Sequence, residues 1–203
     1  MSEVVHKIQL FTDFICPFCY VGQGIMESLK KEYKIEDHTM YVEIHTETKE
    51  SNPPLLKERF PRVNIDALYS NLNKSGAPYG KRFVTPKIMS NSRRASIISE
   101  IVREEKGQET LEKYAQHTFR AYFEENKDIG KDEVLSDICK QIGMDWDDVK
   151  SKIEKISKKH EENMEAKDEA DINGVPHFII DDEIHISGAQ SLDSFRKALN
   201  KKK

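Results

Sequence analysis

Only three cysteines and one tryptophan occur among the 203 residues, and no apolar run approaches membrane-spanning length. Three cysteines are too few for a disulfide scaffold, so any cysteine chemistry must be local. Neither sign of charge dominates. With 32 basic and 36 acidic side chains the formal net charge is −4, which gives no electrostatic case for nucleic acid or an anionic membrane as the main partner. The segment from Met1 to Lys7 carries no apolar stretch of the secretory type. Together these features lead to the expectation of a soluble, cytoplasmic protein with no nucleic-acid and no membrane partner. Internal repeats and low-complexity tracts are missing apart from the solvated tail Lys201-Lys202-Lys203. The length allows a substantial core, in one domain or in a small domain with an insertion.

Against that sparse cysteine content, Cys16-Pro17-Phe18-Cys19 stands out by its position. It follows the short apolar run Lys7–Ile15, which reads as a strand entering a core. It precedes Ile25, Met26 and Leu29, which recur at helical spacing with Lys30, Lys31 and Glu32 on the far side. Cys16 is then the N-cap and Pro17 the first helical residue, where a missing N–H costs nothing. At that place the positive end of the helix dipole and the free backbone N–H groups favour thiolate over thiol, which makes Cys16 the candidate nucleophile. Cys19, one turn in on the same face, is placed to attack a mixed disulfide at Cys16 and release the product. Phe18 can pack beside the sulfur but adds no positive charge.

A zinc site would need two more ligands. Only Cys139 remains, there is no second C-x-x-C, and no histidine pair has H-x₃₋₅-H spacing, so no metal is expected. Two inert core cysteines are the other alternative, disfavoured by a proline at a helix start between them. Cys139 lies beside the apolar positions of a helix and reads as a small buried hydrophobe.

Farther along, Met40–Thr46 alternates with a period of two and predicts a second strand, parallel to the first in a βαβ unit. Glu43 and His45 on it could approach the active site. Ser51-Asn52-Pro53-Pro54 breaks the pattern and marks the best boundary. Helices are then predicted over Val63–Ser75, Ser92–Lys106, Thr110–Glu125, Lys131–Ile142 and Trp146–Lys159, with Lys158–Glu162 as a solvated helix face. Strand patterns return at Pro176–Ile180 and Glu183–Ser187 around a turn at Asp181-Asp182, and Ser191 caps a last helix with Leu192, Phe195 and Leu199 inward. This order is an α/β, thioredoxin-like fold with an inserted all-helical domain: 1–50 and 161–203 form the thioredoxin-like domain and 51–160 the insertion.

The sequence resembles the DsbA-like thioredoxin-fold superfamily, in particular its FrnE-type cytoplasmic branch, related to 2-hydroxychromene-2-carboxylate isomerases and kappa-class glutathione transferases. The resemblance rests on Asp13–Gly22 around the cysteines, Glu50 with Asn52-Pro53, Ala121-Tyr122-Phe123 with Asp128-Ile129, Asn173–Phe178, and Ser187-Gly188-Ala189-Gln190. It implies that Pro176 is a cis-proline facing the active-site disulfide and that Val175 offers its backbone to a bound peptide. Pro17, Phe18, Val175 and Pro176 would shape the site. His177 stands where the family commonly has an apolar or aromatic residue, and is a candidate for proton transfer. The expected function is a cytoplasmic thiol–disulfide oxidoreductase acting on protein or peptide thiols and disulfides. It needs no cofactor beyond the Cys16–Cys19 disulfide, has glutathione as a candidate redox partner, and is recycled by an unidentified reductant or oxidant. Two alternatives are a glutathione-dependent isomerase or transferase of the kappa-like type and a non-catalytic, redox-switched adaptor-type binding protein. Against the first stand the cysteines, where those relatives carry serine, and Ala189-Gln190 in place of their acidic-basic pair.

Overall fold

The computed structural model describes residues 4–201; the two ends of the N-terminal and lysine-tail readings, residues 1–3 and 202–203, lie outside them. Strand β1 (Val5–Thr12) leads into helix α1 (Pro17–Glu32), which returns to β2 (Lys34–Tyr41) parallel to β1. Between β2 and the next strand come α2 (Leu56–Arg59), α3 (Ile65–Gly76), a 3₁₀ turn at Ala77–Tyr79, α4 (Arg93–Phe123), α5 (Asp132–Gln141) and α6 (Trp146–Glu169). The chain closes with β3 (His177–Ile180), β4 (Ile184–Ser187) and α7 (Leu192–Asn200). The sheet runs β2-β1-β3-β4, with β3 antiparallel to both β1 and β4. This is the thioredoxin-like arrangement, with a helical region inserted between its parallel and antiparallel halves.

Local chemistry explains most element ends. Asp181 and Asp182 both adopt positive φ, 52° and 59°, which suits the tight turn of the β3–β4 hairpin because Asp tolerates the left-handed region better than most residues. Ser191 caps α7 by accepting from the Ser194 backbone N–H, and Asp145 caps α6 through Asp148. In α4 the helix breaks at Gly107, with φ 77°, where the sequence pattern separates two helices.

Three expectations require correction. The second strand is Lys34–Tyr41 rather than Met40–Thr46. It lies at the sheet edge, so Glu36, Asp37 and His38 are tolerated within it, and its apolar alternation is weak. The alternation at 40–44 arises because the chain there is buried on two sides: Tyr41 joins the main core, while Val42 joins a second cluster with Phe11, Ile172 and Ile179. Helix α6 continues past Lys159 to Glu169. Within its charged run, His160 is fully buried instead of solvated, because that turn packs against the start of α4.

One core cluster joins both parts of the molecule. Phe14 stacks on Tyr41 with ring centroids 4.4 Å apart and packs on Phe119, and Tyr20 lies between Phe83, Phe119 and Phe123. The residues flanking the two cysteines are thus wedged against α4. A tight contact fixes the far side of α1: a Cβ on Gly24 would lie 2.5 Å from the Tyr79 Cβ. Gly24→Ala is expected to lower stability by about 1–2 kcal/mol, because forced overpacking outweighs the gain in helix propensity. The urea midpoint reads this directly; an unchanged or higher midpoint contradicts it.

Candidate active site

The strand β1 ends at Thr12, and a turn closed by Cys16 N–H donating to the Asp13 carbonyl (3.1 Å) delivers Cys16 to the N-cap of α1. Pro17 occupies the first helical position. All three cysteines are free thiols. Cys16 and Cys19 are neighbours at the start of one helix, yet their surroundings differ. Cys16 remains 6% exposed and its thiol donates to the Val175 carbonyl at 3.5 Å, whereas Cys19 is fully buried. Burial and the adjacent Cys16 push the Cys19 thiol well above the ordinary cysteine range, although the Asp13 backbone N–H lies 3.4 Å from its sulfur. The reachable sulfur and the protected one are therefore distinct by position alone. Cys139, far from this pair in the helical region, is also buried, and burial raises it to about 12, so it is inert as a nucleophile near neutral pH.

The peptide bond between Val175 and Pro176 is cis. Gly22 lets α1 approach this bend closely, since a Cβ there would sit 3.2 Å from the Pro176 Cγ. The structure therefore brings together Cys16, Cys19, Pro17, Val175 and Pro176. Phe18 is 46% exposed and stands at the lip of an apolar groove of about 250 Å³. Cys16, Ile44, His45, Phe60, Val63 and Tyr69 are among the residues that line it. His177 is not brought to the sulfurs. It faces away from α1, opposite to Phe178, and its Nε2 lies 3.0 Å from Nδ1 of His185 on β4. Burial and the charge of His185 hold it below the ordinary histidine range.

A titratable residue that adjoins the cysteines is Asp13, whose backbone contacts both of them. It is fully buried. Desolvation pushes its carboxyl up to about 6, against the opposing effect of hydrogen bonds from the Ile44 and Ile15 backbone N–H groups and from Ser92. A signal for it exists in the sequence: an acidic residue inside the apolar stretch Leu10–Ile15 must be buried with partners or taken out of its charged form. Glu43 and His45 do reach the site, Glu43 behind Asp13 and His45 in the groove.

The DSBA-like thioredoxin domain model matches residues 7–200. Among curated proteins, the uncharacterized protein YwbO of Bacillus subtilis is 26% identical over 196 residues, covering 95% of each chain. Among solved structures, a probable DsbA oxidoreductase of Streptomyces coelicolor superposes with a TM-score of 0.87 at 18% identity, over 97% of this chain and 89% of that one. The cytosolic disulfide reductase DsbM of Pseudomonas aeruginosa, solved with GSH, does so at 0.71 and 12% identity, over 97% and 98%. At these identities the two structures speak for the fold. The family model, spanning nearly the whole chain and including both the C-x-x-C and the Val175-Pro176 segment, identifies this chain as a member of the DSBA-like thioredoxin domain family.

Proposed function

We propose that the chain is a thiol–disulfide oxidoreductase in which Cys16 forms the mixed disulfide and Cys19 resolves it. The observation that carries this reading is the asymmetry of the two sulfurs at one helix start: Cys16 sits at the groove against the Val175 carbonyl, and Cys19 is buried behind it.

The Cys16 thiolate, at the positive end of the α1 dipole, attacks one sulfur of a client disulfide. The client S–S bond breaks, a Cys16–client bond forms, and one client thiolate leaves. Cys19 then gives its proton to the Asp13 carboxylate, directly or through one water, and attacks the Cys16 sulfur. The Cys16–Cys19 bond forms as the second client thiolate departs, so two electrons pass to the client. Two molecules of a thiol such as glutathione, attacking in turn through a mixed disulfide at Cys16, return the pair to the dithiol and leave as their own disulfide. The cis bend at Pro176 presents the Val175 backbone beside Cys16, where an extended client segment can lie, and Phe18 with the apolar groove favours clients whose cysteine is flanked by apolar or aromatic side chains. A cytoplasmic location fits the three-cysteine content; among the described residues no helix is long and apolar enough to cross a membrane.

The test is steady-state reduction of a fluorescent peptide disulfide in the presence of reduced glutathione. Wild-type protein is expected to turn over, and Cys16→Ser to fall to the rate of glutathione alone. Full activity in Cys16→Ser contradicts the reading.

A further inference from the structure

Behind the cysteine pair lies a second buried charged group that the exchange cycle does not use. Glu43 is 4% exposed, and its Oε1 accepts from His160 Nε2 at 2.9 Å and from Arg93 Nη1 at 3.2 Å. His160, from α6, is fully buried, and its Nδ1 has no hydrogen-bond partner among the described residues. Arg93 opens α4 and also reaches Glu161. Burying a carboxylate and an imidazole beneath a guanidinium that is itself 39% exposed costs desolvation that apolar side chains of similar volume would avoid. Such a cluster is a poor device for stability alone.

Its position suggests another role. Residues 42–44 run alongside the end of β1: Val42 N–H donates to the Thr12 carbonyl at 2.8 Å, and Ile44 N–H donates to Asp13 Oδ2 at 2.8 Å. Glu43 lies between these two contacts, so its backbone is fixed relative to Asp13 on both sides, and His160 and Arg93 hold its carboxylate. Around Asp13 stand Cys16 and Cys19 at the start of α1, Glu43 and Ile44 from the segment after β2, and Ser92 and Tyr122 from the N-cap and the far end of α4, while Arg93 and His160 reach it through Glu43. Beside desolvation, which is the main cause, the nearby charge of Glu43 adds a smaller effect in the same direction, opposing ionisation of Asp13.

We propose that Glu43, clamped by Arg93 and His160, is a positioning residue for disulfide exchange. Its fixed negative charge sets how tightly Asp13 holds a proton, and so the pH above which Cys19 attacks. The helical region thereby tunes the redox centre through α4 and α6. The inference rests on Asp13 accepting the Cys19 proton, as described for the exchange cycle.

The experiment is single-turnover resolution of a Cys16–peptide mixed disulfide across pH 4–9, followed by release of the peptide thiol. In Glu43→Gln the midpoint of the rate profile is expected lower than in wild type by up to about one unit, since Glu43 adds a smaller effect than desolvation to the raised Asp13 carboxyl. In Arg93→Gln, where Glu43 keeps its charge but loses a compensating cation, the midpoint is expected to move upward. Opposite displacements cannot come from general loosening, and Arg93→Gln serves if Glu43→Gln fails to fold. Asp13→Asn distinguishes the two levels. If it abolishes the midpoint while the foldable Glu43 and Arg93 variants leave the wild-type midpoint in place, the role of Glu43 is wrong and that of Asp13 stands. If Asp13→Asn itself retains the wild-type profile, both are wrong.

Discussion

Cys19→Ser protein mixed with a disulfide-bonded peptide is expected to accumulate as a one-to-one adduct at Cys16, visible by intact mass and lost on reduction. The reason is geometric. In the wild type, Cys19 neighbours Cys16 within one turn at the start of α1, so its attack is intramolecular. Well-oriented intramolecular reactions reach effective molarities of about 10⁵ M or more, which a millimolar external thiol cannot match. Peptide release should therefore slow by on the order of 10³-fold or more. The reverse substitution, Cys16→Ser, should form no adduct, because Cys19 is fully buried and its thiol is held protonated. An adduct at Cys19, or equal adduct formation by both variants, would contradict the assignment of roles.

Asp13→Asn should separate chemistry from stability. Loss of a positioned proton acceptor is expected to slow resolution at pH 7 by about 10²-fold, with little effect on formation of the mixed disulfide. Its effect on stability follows from the sign of the shift. Burial raises the Asp13 carboxyl from 3.8 to about 6 in the folded protein, so between those values the folded state binds more protons than the unfolded one. Stability from this group is complete below the unfolded value and is lost as pH rises through about 6. The total is about 3 kcal/mol, from the two-unit shift at 1.36 kcal/mol per unit. Other carboxylates oppose this trend, among them Asp132, which Arg94 and Lys150 hold below its usual range. The comparison is therefore the difference between wild type and Asp13→Asn in urea unfolding at pH 4 and pH 7. The wild type should lose the larger amount on going to pH 7; parallel behaviour of the two proteins would mean that Asp13 is not a buried, proton-binding carboxyl.

What the sequence made legible were features decided within one turn of chain. Cys16 and Pro17 at the start of α1, the break at Gly107, the Asp181-Asp182 turn and the Ser191 cap each follow from the chemistry of two or three adjacent residues. The order of strands and helices then suffices for the thioredoxin-like arrangement with its helical insertion. What escaped depends on contacts distant along the chain. The raised carboxyl of Asp13 comes from burial under segments distant along the chain, those of Ile44 and Ser92, even though the hydrogen bonds from these two residues act against it. His160 looks like a solvated member of a charged run until α6 packs on α4 and pairs it with Glu43. The shift of β2 to Lys34–Tyr41 reflects an edge strand whose polar residues hide its register, while the more apolar segment after it fills space between two cores. His177 shows the converse: proximity to Pro176 along the chain suggested a role that strand alternation directs away from the sulfurs, toward His185.

Cys16 and Cys19 are expected to form a reversible redox pair. Equilibrating the protein in buffers of graded reduced-to-oxidised glutathione ratio, trapping free thiols by alkylation at low pH, and mapping the products by mass spectrometry tests it most directly. The expected result is a single two-electron transition between a dithiol and a Cys16–Cys19 disulfide, with Cys139 a free thiol in the native protein throughout. Free thiols at both positions across every ratio, or glutathione attached to Cys16 with no bond to Cys19, would contradict it.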